Sequence, residues 1–304
     1  MRICSLLPST TEIAFALGLG DEVVGVTHEC DYPPEAQGKP VLVRSAIDSH
    51  RLNSCEIDRQ VGEMLQAGKS LYTIDDEAFR TAAPDVILTQ ALCDVCALDY
   101  NDVVKAAQCL PCKPMIVSLI PHCLADVLDD ILRVGEAAQR KKEAEALVLE
   151  LQRRMEAVRQ QAAQSSSRPQ IACLEWFDPI YAAGHWVPEM VELAGGNDGL
   201  GRKGEPSAKI PWREVLKLQP EVIVLMPCGF DVQRTLQEST LLQKLDGWSE
   251  LPAVKAGKVF AVNGHAYFSR PGPRLVDGLE ILAQIIHPEI FSWNPPSDAV
   301  HRMS

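Results

Sequence analysis

The chain has 304 residues, 46% of them hydrophobic and 23% charged, with a formal net charge of −12. This is the balance of an ordinary globular protein, long enough for two domains with cores of their own. The acidic excess argues against nucleic acid or an anionic membrane as the main partner, and no apolar run reaches the roughly eighteen residues that a membrane span needs.

The reading begins with a strand over Arg2 to Leu7, followed by a turn into a helix at Pro8-Ser9-Thr10-Thr11-Glu12. There Ser9 and Glu12 have capping-box spacing, and Gly18 ends the helix. Because Arg2 to Leu7 already reads as core strand, no n-region, apolar stretch or cleavage site precedes it. Together with ten cysteines that show no secreted disulfide framework, this predicts a cytoplasmic protein. The alternative is a periplasmic or surface-anchored protein whose export signal is missing. Val23 to Val26 is a second strand, running into His28-Glu29-Cys30-Asp31-Tyr32-Pro33-Pro34, and Val41 to Val43 a short third. A helix over Cys55 to Leu65, an extended Leu71 to Ile74 and a helix over Asp75 to Ala82 lead to the buried strand Val86 to Thr89. A Cys-rich loop (91–98), a helix over Asp99 to Gln108 and the strand Met115 to Ile120 complete the first half.

Leu124 to Gln164 then holds no proline and one glycine, with apolar residues at helical spacing and a break predicted near Gly135 to Arg140. From the break to Gln164 the helix would measure roughly 37 Å. With α/β patterns on both flanks, the helix ties two α/β lobes together, at 1–123 and 166–304, with 124–165 between them. A helix packed on one larger α/β domain is the alternative. In the second half, Ile171 to Glu175 is a strand ending in Trp176-Phe177-Asp178-Pro179. Gly184-His185-Trp186-Val187-Pro188 opens a helix that closes at Gly195-Gly196, and Trp212 to Leu218 forms another. Val222 to Met226 and Val259 to Val262 are strands, Arg274 to Ile286 is the last helix, and the tail after Ile290 reads as loose.

Parallel α/β sheets bind ligands beyond the carboxyl ends of their strands. Those ends carry Ser9, His28, Tyr32, Cys93, Cys96 and His122 in the first half. In the second they carry Trp176, Phe177, His185, Trp186, Cys228, His265, Tyr267 and Phe268. Aromatics and soft ligands together suit a large flat ligand or a metal complex. Two Cys-x-x-Cys pairs, Cys93/Cys96 and Cys109/Cys112, have zinc-like spacing. The helix between them puts the pairs roughly 15 Å apart, too far for one ion with zinc–sulfur bonds of about 2.3 Å. No Gly-x-Ser-x-Gly elbow, Walker loop or dinucleotide fingerprint is present, which leaves little support for an enzyme or a bound nucleotide.

Ser5-Leu6-Leu7-Pro8-Ser9-Thr10-Thr11-Glu12, Val24-Gly25-Val26 with Asp31-Tyr32-Pro33, and Pro84-Asp85-Val86-Ile87 occur in the first half. Leu193-Ala194-Gly195-Gly196, Ser207 to Trp212, Pro220-Glu221-Val222-Ile223 and Arg270-Pro271-Gly272-Pro273-Arg274 follow in the second. Together, and in this order, they resemble the class III periplasmic substrate-binding proteins of ABC importers for cobalamin, haem and iron-siderophores, above all the cobalamin binders. The resemblance covers Ile3 to about Ile286. It implies two Rossmann-like α/β lobes on a backbone helix with little hinge motion. Exported members present one acidic residue per lobe to the permease; here the second-lobe position holds Arg213, with Glu214 adjacent, and Asp99 or Asp102 could serve in the first, so ligand binding is expected to be kept more readily than transport docking. The thiol-rich loops and the missing signal set the chain apart from exported members.

The reading is a non-catalytic protein holding a corrinoid (cobalamin) or similar metal chelate. Trp176, Phe177, Trp186, Tyr267 and Phe268 would pack on the macrocycle, and Trp186→Ala would weaken binding by roughly 2–4 kcal/mol. His185, His28 or a Cys93/Cys96 thiolate would serve as axial ligand, with Ser9 and Tyr32 nearby and Arg270 holding a polar edge. Its partner would be a cobalamin-dependent enzyme or an ABC permease. The alternatives are the binding component of an importer for cobalamin, iron-siderophore or haem, and a thiol- or metal-dependent enzyme using Cys93 and Cys96.

Overall fold

The structure, a computed structural model, describes residues 1–92 and 98–303, the side chain of His50 excepted. Cys93 and Cys96 lie outside the described residues, and the readings placed on them with them. The chain divides into two compact units. One comprises Met1–Leu52, Glu56–Pro121 and Ala125–Glu150; the other comprises Asn53–Cys55, His122–Leu124 and everything from Leu151 onward.

The first unit is built on a six-stranded sheet in the order β4-β3-β2-β1-β5-β6. Its strands are β1 (Ile3–Ser5), β2 (Val23–Thr27), β3 (Val41–Ser45), β4 (Tyr72–Ile74), β5 (Val86–Gln90) and β6 (Met115–Leu119). All pairings are parallel except β3 with β4. The chain moves outward from β1 to β4 and then returns to β5 on the other side of β1, so the order reverses at β1. Fully buried strands need continuous apolar side chains, and Ile3, Cys4, Val86, Ile87 and Leu88 supply them at 3% exposure or less.

The capping box expected of Ser9 and Glu12 is not formed. The helix Pro8–Ala16 starts two residues earlier, with Leu7 as its cap and no side-chain cap bond. The hydroxyls of Thr10 and Thr11 donate instead to the carbonyl of Leu7, and Thr11 also bonds Ser5. Pro8 is well suited to the first helical position, where no N–H is needed, and this takes precedence over the cap at Ser9.

The long helical stretch is broken where expected, into Leu124–Ala137 and Lys141–Ala162. Gly135 permits the break: a Cβ there would run into Ala144 and the Arg140 carbonyl, while Gln139 turns left-handed at φ 58°. The second helix contributes to the first unit as far as Glu150 and to the second from Leu151.

On the preceding helix, Asp130 is 4% exposed. One carboxylate oxygen accepts from Arg133 at 2.9 Å, and the other, also buried, has no partner. Burial raises its pKa to about 6 against the pull of Arg133. A folded pKa above the unfolded value means that the native state holds a proton the unfolded chain has lost. Between about pH 4 and 6 this contribution to stability therefore falls as pH rises. Asp130→Asn is expected to flatten that limb of the stability curve and to raise Tm at pH 7. Denaturation followed at pH 4, 5, 6 and 7 measures it, and an unchanged pH profile would count against the account.

The second unit has a seven-stranded sheet in the order β10-β8-β7-β11-β12-β13, with β9 also pairing β7. Its strands are β7 (Gln170–Phe177), β8 (Ile180–Ala182), β9 (Asn197–Asp198), β10 (Ala208–Lys209), β11 (Val222–Leu225), β12 (Val259–Val262) and β13 (Val300–Met303). β7, β11 and β12 run parallel, while β8 and β13 are antiparallel to their neighbours. The tail read as loose thus ends in an ordered edge strand, its register running from Val259↔Met303 to Val262↔Val300. Val300-His301-Arg302-Met303 alternates weakly, and an edge strand closed by backbone bonds leaves little hydrophobic trace. The helix Leu275–Ile286 is buried along most of its length. It is tied to the long helix by Arg154, whose guanidinium donates to Asp277 at 2.6 Å and to both oxygens of Glu280 at 2.9 and 2.7 Å.

Candidate ligand-binding site

In the second sheet the chain leaves β7 by a hairpin to β8 on one side and returns to β11 on the other. The carboxyl ends of β7 and β11 therefore flank a switch point, where open α/β sheets take ligands. A small pocket lies there, lined by Glu175, Gly184, His185, Trp186, Val187, Met226, Phe268 and Ser269.

Its shape starts from a bulge. Leu174 pairs with Ala182 and Trp176 with Tyr181, so Glu175 is the extra residue. A bulge switches the face on which later side chains lie. Ala172 and Leu174 point into the hydrophobic core, and after the bulge Phe177 rejoins them there, at 3% exposure. Trp176 is turned away from that core and stays half-buried. It packs against Phe230 with ring centroids 5.2 Å apart, and its indole N–H donates to the Ser54 carbonyl at 3.2 Å. Adjacent strand residues face opposite sides, and the bulge decides which of the two aromatics enters the core: Phe177 does and Trp176 does not.

Gly184 follows β8 where the loop 204–207 crosses. A Cβ would meet backbone atoms of Glu205, Pro206 and Ser207 at 2.5–2.6 Å, and backbone cannot yield as a side chain can. His185 is then left-handed at φ 51°, a costly conformation for a non-glycine residue. It is held there by its N–H to the Glu205 carbonyl and by the Gly204 N–H to its own carbonyl. The imidazole lies between two rings, His122 at 6.3 Å and Trp186 at 5.4 Å between centroids, both stacked. Burial, with His122 as second cause, lowers its pKa. At neutral pH the ring is uncharged and carries the lone pair that a metal needs.

Trp186 is 5% exposed and donates its indole N–H to the Phe268 carbonyl at 2.8 Å. Tyr267 and Phe268 are buried at 7% and 3%, with the guanidinium of Arg274 5.6 Å from the Tyr267 ring. Arg270, 5% exposed, is bonded to His265.

The first-unit candidates are placed differently. Ser9 is 2% exposed, and its hydroxyl has no hydrogen-bond partner. Both ring nitrogens of His28 are engaged, one by the Val43 carbonyl at 3.3 Å and one by Glu29 at 3.2 Å. Tyr32 is 44% exposed. Cys30 is buried, with the hydroxyls of Thr11 and Thr27 against its sulfur. Among the described residues no group of three or more His, Cys, Asp or Glu is placed to hold a metal. The Cys112 thiol bonds the Pro84 carbonyl at 3.4 Å. Burial drives the Cys4 thiol up to about 12, leaving little reactive thiolate there.

Sequence reading missed Glu175, Ser207, Met226 and Ser269. Glu175 ends the expected strand, so the carboxyl-end rule could have included it. Ser207 and Met226 enter the site through pairings remote in sequence, Ser207 to Glu175 at 2.5 Å and the Met226 N–H to the Leu174 carbonyl at 2.9 Å.

Two α/β units, each built on a largely parallel core of strands and with a helix contributing to both, define a two-lobed binding protein. The chain belongs to the periplasmic binding protein family, whose model matches residues 3–265; it is a binding protein and not an enzyme. It is 26% identical over 287 residues to the vitamin B12-binding protein of Vibrio cholerae, covering 92% of this chain and 86% of that one. It is also 26% identical over 300 residues to an uncharacterized ABC transporter substrate-binding lipoprotein of Bacillus subtilis, covering 95% and 81%. A periplasmic heme binding protein from Pseudomonas aeruginosa shares the fold at TM-score 0.75 and 16% identity, covering 100% and 99% of the two chains.

Proposed function

We propose that this chain is the ligand-binding component of an ABC importer and that its ligand is a corrinoid. The observation that carries the reading is His185: an uncharged imidazole, fixed in a left-handed turn at the sheet's switch point and set between aromatic rings. A residue held in a costly conformation at a pocket is a functional candidate, and a neutral imidazole is a ready axial ligand for a chelated metal. The vitamin B12-binding relatives, aligned over most of the chain, support a corrinoid. The relative named as a transporter lipoprotein supports a permease as partner over a cobalamin-dependent enzyme, and a place outside the cytoplasm over the cytoplasmic expectation. No helix among the described residues is long and apolar enough to cross a membrane.

Trp176 would pack on the macrocycle; the buried Trp186 and Phe268 support the pocket wall, and Phe177, His28 and Ser9 act through the fold. For docking, Glu214 is 42% exposed beside Arg213. Asp99 caps the helix Tyr100–Gln108, and Asp102 pairs with Lys105. We assign Glu214, whose side chain is more exposed than that of Asp102 and 3.6 Å from Arg213, to the permease.

The test is titration of the purified protein with cyanocobalamin, and with haemin in parallel, followed by visible absorbance. His185→Ala is expected to shift the spectrum of the bound corrinoid while Tm stays within about 3 °C of the parent, since a half-buried ring contributes little to the core. A spectrum identical in parent and variant would remove the imidazole from the metal, and saturation by haemin alone would replace the corrinoid.

A further inference from the structure

Cys109 and Cys112 take no part in the ligand site of the second unit. Cys109 ends the helix Tyr100–Gln108, its N–H bonding the carbonyls of Ala106 and Ala107, and it is exposed. The chain then bends at Leu110, Pro111 and Cys112 before β6 begins at Met115. Four residues in a turn hold their end Cα atoms within about 7 Å, and a disulfide spans about 4.4–6.8 Å between Cα atoms. Pro111 fixes φ between the two cysteines and so limits how far they swing apart. Packing decides which thiols can meet. Cys112 is half-buried against the core that contains Cys4, Ala107 and Leu110, and its S–H donates to the Pro84 carbonyl at 3.4 Å. Cys4 is wholly buried in that core, and burial pushes its thiol up to about 12. Exchange with a disulfide needs a thiolate that the incoming sulfur can reach. Cys4 offers neither, whereas Cys109 lies open to solvent with Cys112 three residues away.

We infer that Cys109 and Cys112 form a dithiol site that closes to a disulfide by exchange with a low-molecular-weight organic disulfide. The inference does not rest on the corrinoid reading. In the first step the Cys109 sulfur bonds one sulfur of the incoming disulfide and expels the other as a thiol, which takes up the Cys109 proton. In the second the Cys112 sulfur attacks the Cys109 sulfur of this mixed disulfide and expels the remaining thiol, which takes up the Cys112 proton. One organic disulfide is thereby reduced to two thiols, and the cysteine pair is oxidised by two electrons. Closure replaces the weak bond from Cys112 to Pro84 with a covalent link across the connection from the helix Tyr100–Gln108 to β6.

The experiment treats the reduced full chain, under native conditions, with oxidised glutathione. Remaining thiols are blocked with iodoacetamide, and the chain is digested without reduction and mapped by mass spectrometry. A peptide carrying a Cys109–Cys112 bond is expected, with alkylation at both positions falling more than tenfold and returning after dithiothreitol. The exposed Cys55 serves as the comparison, since a thiol with no resolving neighbour keeps glutathione as a mixed disulfide. Cys112→Ser should convert Cys109 to that behaviour, holding one glutathione that the parent protein does not hold. A stable glutathione adduct on Cys109 of the parent, with Cys112 still alkylated, would show that the two thiols do not meet, and it overturns the inference. So does a bond from Cys109 or Cys112 to any other cysteine, Cys4 included. Full alkylation of Cys109 after treatment overturns it as well, because the first step has then failed.

Discussion

Trp186→Ala is expected to lower the unfolding free energy by about 3–5 kcal/mol, the range for removing a buried large aromatic. The indole is 5% exposed, and its N–H is spent on the Phe268 carbonyl at 2.8 Å, so truncation leaves both a cavity and an unpaired carbonyl. Leaving that carbonyl bare accounts for about 1–3 kcal/mol of the cost. Tm should fall on the order of 10 °C for a chain of this size. Trp186→Phe retains most of the packing and should cost about 1–2 kcal/mol, mainly the hydrogen bond. From sequence the same substitution was expected to act on affinity. Burial changes the readout, because a side chain that packs beneath the His185 ring supports the site and offers a ligand little surface. A melting curve of Trp186→Ala within about 2 °C of the parent would show that the indole is not the support described.

The second large effect falls on affinity. Trp176→Ala is expected to weaken corrinoid binding by about 2–4 kcal/mol, or roughly 30- to 1000-fold, as loss of an aromatic anchor does. Trp176 is turned out of the core by the bulge at Glu175 and stays half-buried against Phe230. Arg234 lies 3.8 Å from the centre of the Phe230 ring on its own side, so the aromatic platform is braced and pre-set. The indole also gives its N–H to Ser54, whose own N–H donates to Glu238 at 2.9 Å. Isothermal titration with cyanocobalamin measures the loss. Full affinity in this variant would move the ligand off the end of β7.

Much of the fold was legible from periodicity. Short β-branched runs such as Val86 to Thr89 and Val222 to Leu225 are buried strands because a parallel strand covered on both faces has to be apolar throughout. The break between Ala137 and Lys141 was legible because Gly135 is the one glycine in the stretch. The placement of site residues at strand ends was legible in outline, since the α/β connection rule is general and His185 and Trp176 lie where it puts them. The Ser9 cap failed because Pro8 can start the helix by itself, and the final strand was missed because an edge strand needs backbone partners more than apolar side chains.

What the sequence by itself determined are the elements and their approximate ends, because these follow from contacts a few residues apart. Only the tertiary structure decided which side of an element a residue faces and what reaches it from afar. The extra residue at Glu175 depends on the register of β7 against β8, and it decides that Phe177 enters the core while Trp176 faces out of it. The left-handed His185 depends on the loop 204–207 crossing Gly184. The Ser207–Glu175 bond joins residues 32 apart. Such pairings are set by the packing of the whole sheet, and no local pattern of side chains records them.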